Sequence, residues 1–114
     1  ATDGIEFSEA SVGSVDFHIW DFGGQEVFRY THQIFLCSKA ISLVVFDLRT
    51  PEDETNAQID FWLGSIQQRA PTSKCLLVGT HCALLDQKVG LSKCCSFYDT
   101  ARMRYGRMVI DYAV

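Results

Sequence analysis

Apolar and polar residues alternate through residues 14–20, and this period of two predicts a half-buried β-strand. Its apolar members share one face: Val15, Phe17 and Ile19. Residues 5–10 predict a second short strand, and the run Ser11-Val12-Gly13-Ser14 predicts the turn between the two. The first part of the chain is therefore predicted to form an antiparallel hairpin.

Two nearly continuous apolar runs follow, each of strand length, at residues 40–48 and 75–79. Continuous apolarity is typical of parallel strands that are buried on both faces. Residues 108–114 predict the start of a third such strand. Parallel strands need long connections, which are usually helical, so this pattern favours an α/β fold.

The residues between the predicted strands have the apolar spacing of helices. After the acidic residues 52–54, one apolar stripe predicts a helix that ends near residue 70, and its members are Ile59, Trp62, Leu63 and Ile66. Residues 87–104 predict a last helix, with Gly106 suited to its C-terminal cap. Its apolar stripe is predicted to be Leu91, Cys94, Cys95 and Tyr98. A further, shorter helix is predicted over residues 25–36.

Composition narrows the class of protein. The chain has 114 residues, 47% of them hydrophobic, which is enough for one packed domain. The net charge of -4 gives no electrostatic reason to expect nucleic acid or an anionic membrane as a partner. No apolar run reaches the roughly 18 residues of a membrane span. The five cysteines lack a C-x-x-C pair, which favours reduced thiols in a cytoplasmic protein over a zinc site built from His81, Cys82 and Cys94.

Candidate chemistry stands where the alternating strand ends. Asp21 closes that strand, two glycines follow, and then Gln25. A carboxylate at the C-terminal end of a strand can hold Mg²⁺, and Gly24 can bring a bare backbone N–H close to a terminal phosphate. Gln25 can orient an attacking water. The plainer alternative is a strand followed by an ordinary Gly-Gly turn.

The run from residue 19 to residue 26 resembles the third conserved motif of small Ras-like GTPases, Asp-x-x-Gly-Gln. With the residues that follow, it looks like the Roc (Ras of complex proteins) domain of the ROCO family. The agreeing stretches keep the family's order along the chain: Thr2-Asp3-Gly4-Ile5, Phe28, Thr31-His32-Gln33, Phe35, Val45-Phe46-Asp47-Leu48-Arg49 and Val78-Gly79-Thr80-His81. This resemblance implies that residues 1–114 form one Ras-like P-loop NTPase segment, a three-layer α/β sandwich whose mainly parallel sheet has an antiparallel hairpin at its edge.

The resemblance also implies a ligand and roles. The ligand would be GTP or GDP with Mg²⁺. Thr2 and Asp21 would serve the metal, Gly24 the γ-phosphate and Gln25 the attacking water. The run after the strand at 75–79 matches the base-recognition motif, commonly Thr-His-x-Asp in Roc domains, so Thr80 and His81 would contact the base.

Two departures from the family pattern bear on function. The acid position of the base motif holds Ala83, and losing that charge-assisted contact would cost roughly 2–4 kcal/mol of base binding. Asp86 could reach back to the base, although its spacing differs from the family's. No Gly-x-x-x-x-Gly-Lys-Ser/Thr phosphate loop occurs in the chain, so the first strand and this loop are expected to lie before residue 1. The segment alone is therefore expected to bind GTP weakly and to be inactive.

The function implied is that of a GTP-binding segment of a Roc GTPase, a hydrolase and signalling switch once the domain is intact. Its expected partners are a guanine nucleotide and adjacent domains of a larger multidomain protein, with a homodimer as one candidate assembly. The alternative is a non-catalytic interaction or dimerisation module that keeps the fold without nucleotide chemistry. Ala83 favours this alternative, and Gln25 opposes it.

Overall fold

The computed structural model describes residues 5–22 and 41–114, with the backbone alone for residues 5 and 20–22. These residues belong to two compact units, one within residues 1–36 and the other within residues 37–114. The helix predicted over residues 25–36 lies outside the described residues. None of the helices that the structure describes is long and apolar enough to cross a membrane.

The first unit contains the predicted hairpin. Strand β1 (Ile5–Val12) pairs antiparallel with β2 (Val15–Phe22). Gly13 and Ser14 alone form the turn, and Gly13 has a φ of +61°. A single positive φ at the first turn position is the geometry of a type II′ turn, whose twist matches that of the flanking strands. Because the turn needs only two residues, both strands run further than their apolar patterns predicted.

The apolar face of β2 is more exposed than its alternation predicted. Val15, Phe17 and Ile19 are 52%, 47% and 42% exposed. The pairing places Val12 opposite Val15 and Ala10 opposite Phe17, so apolar neighbours meet across the strands. Such pairs cover only the sides of these residues, and no second layer lies over them among the described residues of this unit. The prediction that this strand is half-buried is therefore wrong for the unit taken by itself.

The second unit is a β-α-β-α-β arrangement. Its helices and strands, in chain order, are β3 (Ile41–Asp47), α1 (Glu52–Arg69), β4 (Lys74–Thr80), α2 (Gln87–Tyr105) and β5 (Val109–Ala113). The three strands form a parallel sheet in the order β3-β4-β5, with a bulge in the β4–β5 pairing between Cys75 and Leu76. Short 3₁₀ helices follow β4 (Cys82–Leu84) and precede β5 (Gly106–Met108). The predicted α/β class, with a parallel sheet and an antiparallel hairpin, is confirmed.

One face of the parallel sheet carries the core of this unit. Val44 and Phe46 of β3 are buried there, and Phe46 packs edge-on against Phe97 of α2 with ring centroids 5.4 Å apart. The opposite face of β3 is exposed, at 66% for Ile41, 58% for Leu43 and 56% for Val45. Successive side chains of a strand point to opposite faces, and the described helices cover only one of them. The prediction that this strand is buried on both faces is therefore wrong.

The buried stripes of the two helices also differ from their predictions. In α1, Trp62 is only half-buried, although the other three predicted members of its stripe are buried. In α2, Leu91 is exposed and Cys95 and Tyr98 are half-buried. The residues that α2 does bury lie at positions i, i+4, i+7 and i+11: Gly90, Cys94, Phe97 and Ala101. Two of these four are small, and at Gly90 an added Cβ would lie 2.5 Å from Cys82 Sγ, so close packing and not hydrophobicity explains the glycine.

Candidate functional site

The carboxyl ends of β3 and β4 meet at one edge of the sheet. Asp47, the last residue of β3, is the register partner of Thr80, the last residue of β4. The pairing extends one step beyond the strands, because Leu48 N–H donates to the Thr80 carbonyl at 3.1 Å. Open α/β sheets bind their ligands outside the carboxyl ends of their strands. The two strand ends therefore form the edge where a ligand is expected.

The Thr80 side chain is tied to the neighbouring strand. Its hydroxyl donates to the Phe46 carbonyl at 3.1 Å, and its oxygen also lies 3.0 Å from His81 Nδ1. Thr80 is half-buried, so these bonds fix its rotamer at the sheet edge.

His81 turns the chain sharply after β4. Its φ of +63° and ψ of +24° place it in the left-handed region, where non-glycine residues are uncommon and cost of order 1 kcal/mol or more. The turn is held by Leu84 N–H, which donates to the His81 carbonyl at 3.1 Å. The imidazole is 43% exposed, and its Nδ1 lies 3.3 Å from Asp47 Oδ1. The strained backbone therefore places a half-exposed imidazole at the junction of the two strand ends.

Asp47 is held ionised by Arg49. The guanidinium Nε lies 3.0 and 3.2 Å from the two carboxylate oxygens, and Nη2 lies 2.7 Å from Oδ2. The Arg49 backbone N–H also donates to Oδ1 at 2.9 Å. These hydrogen bonds, with a smaller contribution from His81, hold the pKa of Asp47 well below its ordinary value. The same contact raises the pKa of Arg49.

Sequence reasoning assigned no role to Asp47 or Arg49. A usable signal was present, because Asp47 is an acid at the C-terminal end of a strand, as Asp21 is. The same argument that selected Asp21 as a candidate would have selected Asp47.

Ala83 stands on the 3₁₀ helix after His81 and is exposed. A shallow cavity of about 430 Å³ lies beside it, lined by Cys82, Ala83, Leu85, Gln87 and Val114. The methyl group of Ala83 can neither donate nor accept a hydrogen bond. At the position where the family motif commonly carries an acid, this chain presents an apolar surface.

Asp86, the nearest acid after position 83, caps the following helix. It is the N-cap of α2, where its Oδ1 accepts from Lys88 N–H at 2.9 Å and from Val89 N–H at 3.4 Å. An Asp at this position satisfies backbone donors that the helix leaves unpaired. The structure therefore gives Asp86 a structural role at the helix start.

The turn that carries the site packs closely on α2. An added Cβ at Gly90 would lie 2.5 Å from Cys82 Sγ. On the strand before the turn, an added Cβ at Gly79 would lie 3.0 to 3.1 Å from three side-chain atoms of Leu48, which is 1% exposed. Both positions therefore need glycine for close packing: Gly90 of α2 against Cys82 of the turn, and Gly79 of β4 against Leu48.

The cysteines of the described part of the chain are free thiols: Cys75, Cys82, Cys94 and Cys95. Burial raises the pKa of Cys75 to about 11, as expected for an inert core thiol. No group of three or more His, Cys, Asp or Glu residues with metal-binding geometry occurs within the described ranges. The zinc alternative built from His81, Cys82 and Cys94 is thus not formed there.

Of the predicted site residues, the structure brings together Thr80 and His81 and adds Asp47 and Arg49 to them. Asp21 lies on β2 opposite Glu6, with its side chain outside the description. The remaining three lie outside the described residues: Thr2, Gly24 and Gln25.

Comparison with known proteins defines the class. The parallel sheet with helical crossovers and the antiparallel hairpin form an α/β arrangement of the Ras-like type. The family model described as "Ras of Complex, Roc, domain of DAPkinase" matches residues 1–83. This chain therefore belongs to the Roc domain family.

The related proteins are large. The probable serine/threonine-protein kinase roco5 of Dictyostelium discoideum is 39% identical over 87 residues, which cover 71% of this chain and 3% of that protein. Leucine-rich repeat serine/threonine-protein kinase 1 of Caenorhabditis elegans is 44% identical over 79 residues, 69% of this chain and again 3% of the relative. The chain thus spans a few per cent of the length of these multidomain relatives.

A solved structure shares the fold. The Roco2 RocCORdC structure of Methanosarcina barkeri, bound to GDP, matches with a TM-score of 0.65 at 22% identity. The match covers 99% of this chain and 33% of the solved chain.

Proposed function

We propose that this chain is the base-binding side of a Roc GTPase domain, which in its intact form binds GTP with Mg²⁺ and hydrolyses it as a signalling switch. The observation that carries this proposal is the placement of Thr80 and His81, side by side, at the carboxyl edge of β4 next to the end of β3. Membership of the Roc family supports it, as does the GDP bound in the Roco2 relative.

Each candidate residue has a role in this proposal. Thr80 and His81 contact the base. Thr2 and Asp21 supply oxygen ligands, which Mg²⁺ prefers. Gly24 lets its backbone N–H approach the γ-phosphate, and Gln25 orients the attacking water. The roles of the four N-terminal residues rest on the family resemblance of their motifs.

Two features favour the interaction-module alternative: the apolar surface at Ala83 and the use of Asp86 as a helix cap. In that alternative the strand ends would bind no nucleotide. The size of the relatives supports a further part of the proposal, that the segment works beside other domains of one large cytoplasmic protein. A homodimer is one form that such a protein could take.

The test is a titration with GDP and Mg²⁺ of a chain that also includes the phosphate loop, followed by the backbone amide NMR signals of residues 41–114. We expect the signals of residues 80–83 to shift most. His81→Ala should weaken GDP binding about tenfold, the effect of one lost hydrogen bond in a partly desolvated site. His18→Ala is the matched control, because His18 is 74% exposed on the hairpin, where its Nδ1 lies 3.4 Å from Glu9 Oε1.

The two functions predict different results. Shifts at residues 80–83 that saturate with GDP and are weaker with ADP support the nucleotide site. If millimolar GDP leaves these signals unchanged, or if His81→Ala and His18→Ala behave alike, the interaction-module function is the better one.

A further inference from the structure

The hydrogen bonds at the edge of the sheet determine which nitrogen of His81 carries hydrogen. The Phe46 carbonyl can only accept, so the single hydrogen of the Thr80 hydroxyl is committed to it at 3.1 Å. The Thr80 oxygen must then accept in its 3.0 Å contact with His81 Nδ1. This arrangement favours the tautomer with hydrogen on Nδ1.

Asp47 acts on the same nitrogen. Its Oδ1 lies 3.3 Å from His81 Nδ1, and an ionised carboxylate can only accept. Arg49 keeps this carboxylate ionised through its guanidinium contacts. Two acceptors, one neutral and one negative, thus face Nδ1, and the hydrogen bond made by one ring nitrogen sets the state of the other.

The other ring nitrogen remains available. Nε2 forms no hydrogen bond within the part of the chain that the structure describes, and the imidazole is 43% exposed. A neutral ring with hydrogen on Nδ1 has a lone pair on Nε2, which accepts a hydrogen bond and cannot donate one.

We propose that Asp47 is a positioning residue which, with Thr80, holds the hydrogen of neutral His81 on Nδ1, so that Nε2 meets the ligand as a hydrogen-bond acceptor. The ligand group at His81 is then a donor, an N–H or O–H of a nucleoside, and not a phosphate oxygen. This assignment of the ligand group rests on the proposed nucleotide-binding function. The assignment of the tautomer does not, because it follows from contacts within the chain.

The hydrogen-bonding state of His81 bears on which base the site would prefer. The carboxylate expected at position 83 would accept from N–H groups of the base, and Ala83 cannot. With Nε2 as an acceptor, the same turn still offers one hydrogen-bond acceptor to an N–H group of the base. Without Asp47, the ring could exchange its hydrogen between nitrogens and lose that polarity.

The tautomer is measured directly from the imidazole ¹⁵N signals of the 114-residue chain at about pH 9, above the ordinary histidine pKa of about 6.5. We expect the protonated-type signal at Nδ1 and the unprotonated-type signal at Nε2. Asp47→Ala should lower the ratio of the two tautomers about five- to tenfold, the effect of one hydrogen bond.

Two variants separate positioning from a merely structural role. Arg49→Ala removes the other partner of Asp47 and leaves the carboxylate, so it should preserve the Nδ1–H tautomer. Asp111→Ala is the matched control on β5, where Oδ1 of Asp111 accepts from the Tyr112 N–H at 2.8 Å, and it should change nothing. A wild-type ring protonated mainly on Nε2, or an Asp47→Ala ring that matches wild type, would overturn the inference.

The ligand group is tested with guanosine and with inorganic phosphate as probes. We expect guanosine to shift the Nε2 signal and phosphate to leave it unchanged. A shift with phosphate alone overturns the donor assignment. If neither probe acts in a chain that includes the phosphate loop while the tautomer is as stated, the proposed nucleotide site fails and Asp47 remains the residue that sets the state of His81.

Discussion

Gly90→Ala offers a sharp test of how the site turn rests on α2. The added methyl would lie 2.5 Å from Cys82 Sγ, whereas ordinary contacts at such a position are 3.4 Å or more, so one group must move by about 1 Å. The next atoms, Cys82 Cβ and a methyl of Leu48, are both 3.6 Å away and fit without movement. The clash therefore involves one sulfur atom.

The expected magnitude is a difference between two effects. Overpacking a well-packed site costs about 1–3 kcal/mol. Replacing glycine by alanine inside a helix gains up to about 1 kcal/mol of helix propensity. Gly90→Ala should therefore lower the free energy of unfolding by about 1 kcal/mol. In a Cys82→Ala background the sulfur is gone, and the same change should raise it by about 0.5–1 kcal/mol.

The assay is urea unfolding followed by circular dichroism, for wild type, both single variants and the double variant. Gly64→Ala is the matched control, because Gly64 lies inside α1 and an added Cβ would meet only the Tyr105 hydroxyl, at 3.8 Å. It should stabilise the chain in either background. The reasoning is refuted if Gly90→Ala changes stability equally with and without the Cys82 sulfur, since the cycle would then contain no coupling.

Four further results are expected. Asp86→Ala should cost about 1 kcal/mol in urea unfolding, because it removes the N-cap of α2. Asp47→Asn should make the free energy of unfolding depend less on pH in the acid range. Because the pKa of Asp47 is lowered in the folded chain, its ionised form stabilises the fold above the ordinary pKa of about 3.9, and this contribution is lost as the pH falls below that value. In a chain that includes the phosphate loop, Ala83→Asp should raise the preference for GTP over ATP in competition binding. In the same chain, Gln25→Leu should slow single-turnover GTP hydrolysis more than it weakens binding.

Each of these has a contrary outcome. Asp53→Ala removes an acid from the first turn of α1 without removing a cap. If it lowers the free energy of unfolding as much as Asp86→Ala does, negative charge near a helix start and not capping explains the loss. If wild type and Asp47→Asn lose stability equally as the pH falls, the contact between Asp47 and Arg49 does not persist in solution. An unchanged nucleotide ratio for Ala83→Asp would mean that position 83 does not face the base. An unchanged hydrolysis rate for Gln25→Leu would show that another group orients the attacking water.

The strands were predictable because alternating or continuous apolar runs identify them, but their burial was not. Val44 and Val45 are the same residue type in one continuous run, and only the placement of the helices decides that Val44 is buried and Val45 exposed. In α2, Gly90 and Ala101 are buried because they are small. A search for a hydrophobic stripe cannot select glycine, so it chose Leu91 instead.

The candidate site was predictable in position and not in detail. Thr80 and His81 were located by their motif at the end of a strand. The left-handed backbone of His81 was not predicted, because only a few per cent of non-glycine residues adopt that conformation. Asp47 could have been found by the rule that identified Asp21, whereas its contact with His81 depends on the register between β3 and β4.

The order of the parallel sheet sets how the site would behave during partial opening. In the part of the chain that the structure describes, β4 is the middle strand, bonded on both sides, whereas β5 lies at one edge and pairs with β4 at four positions across a bulge. Sub-global unfolding usually begins where cooperative contacts are fewest. Detachment of β5 would leave the β3–β4 ladder, and with it the paired ends Asp47 and Thr80, in place. The edge that carries the imidazole would thus persist through fluctuations that open the other side of the sheet.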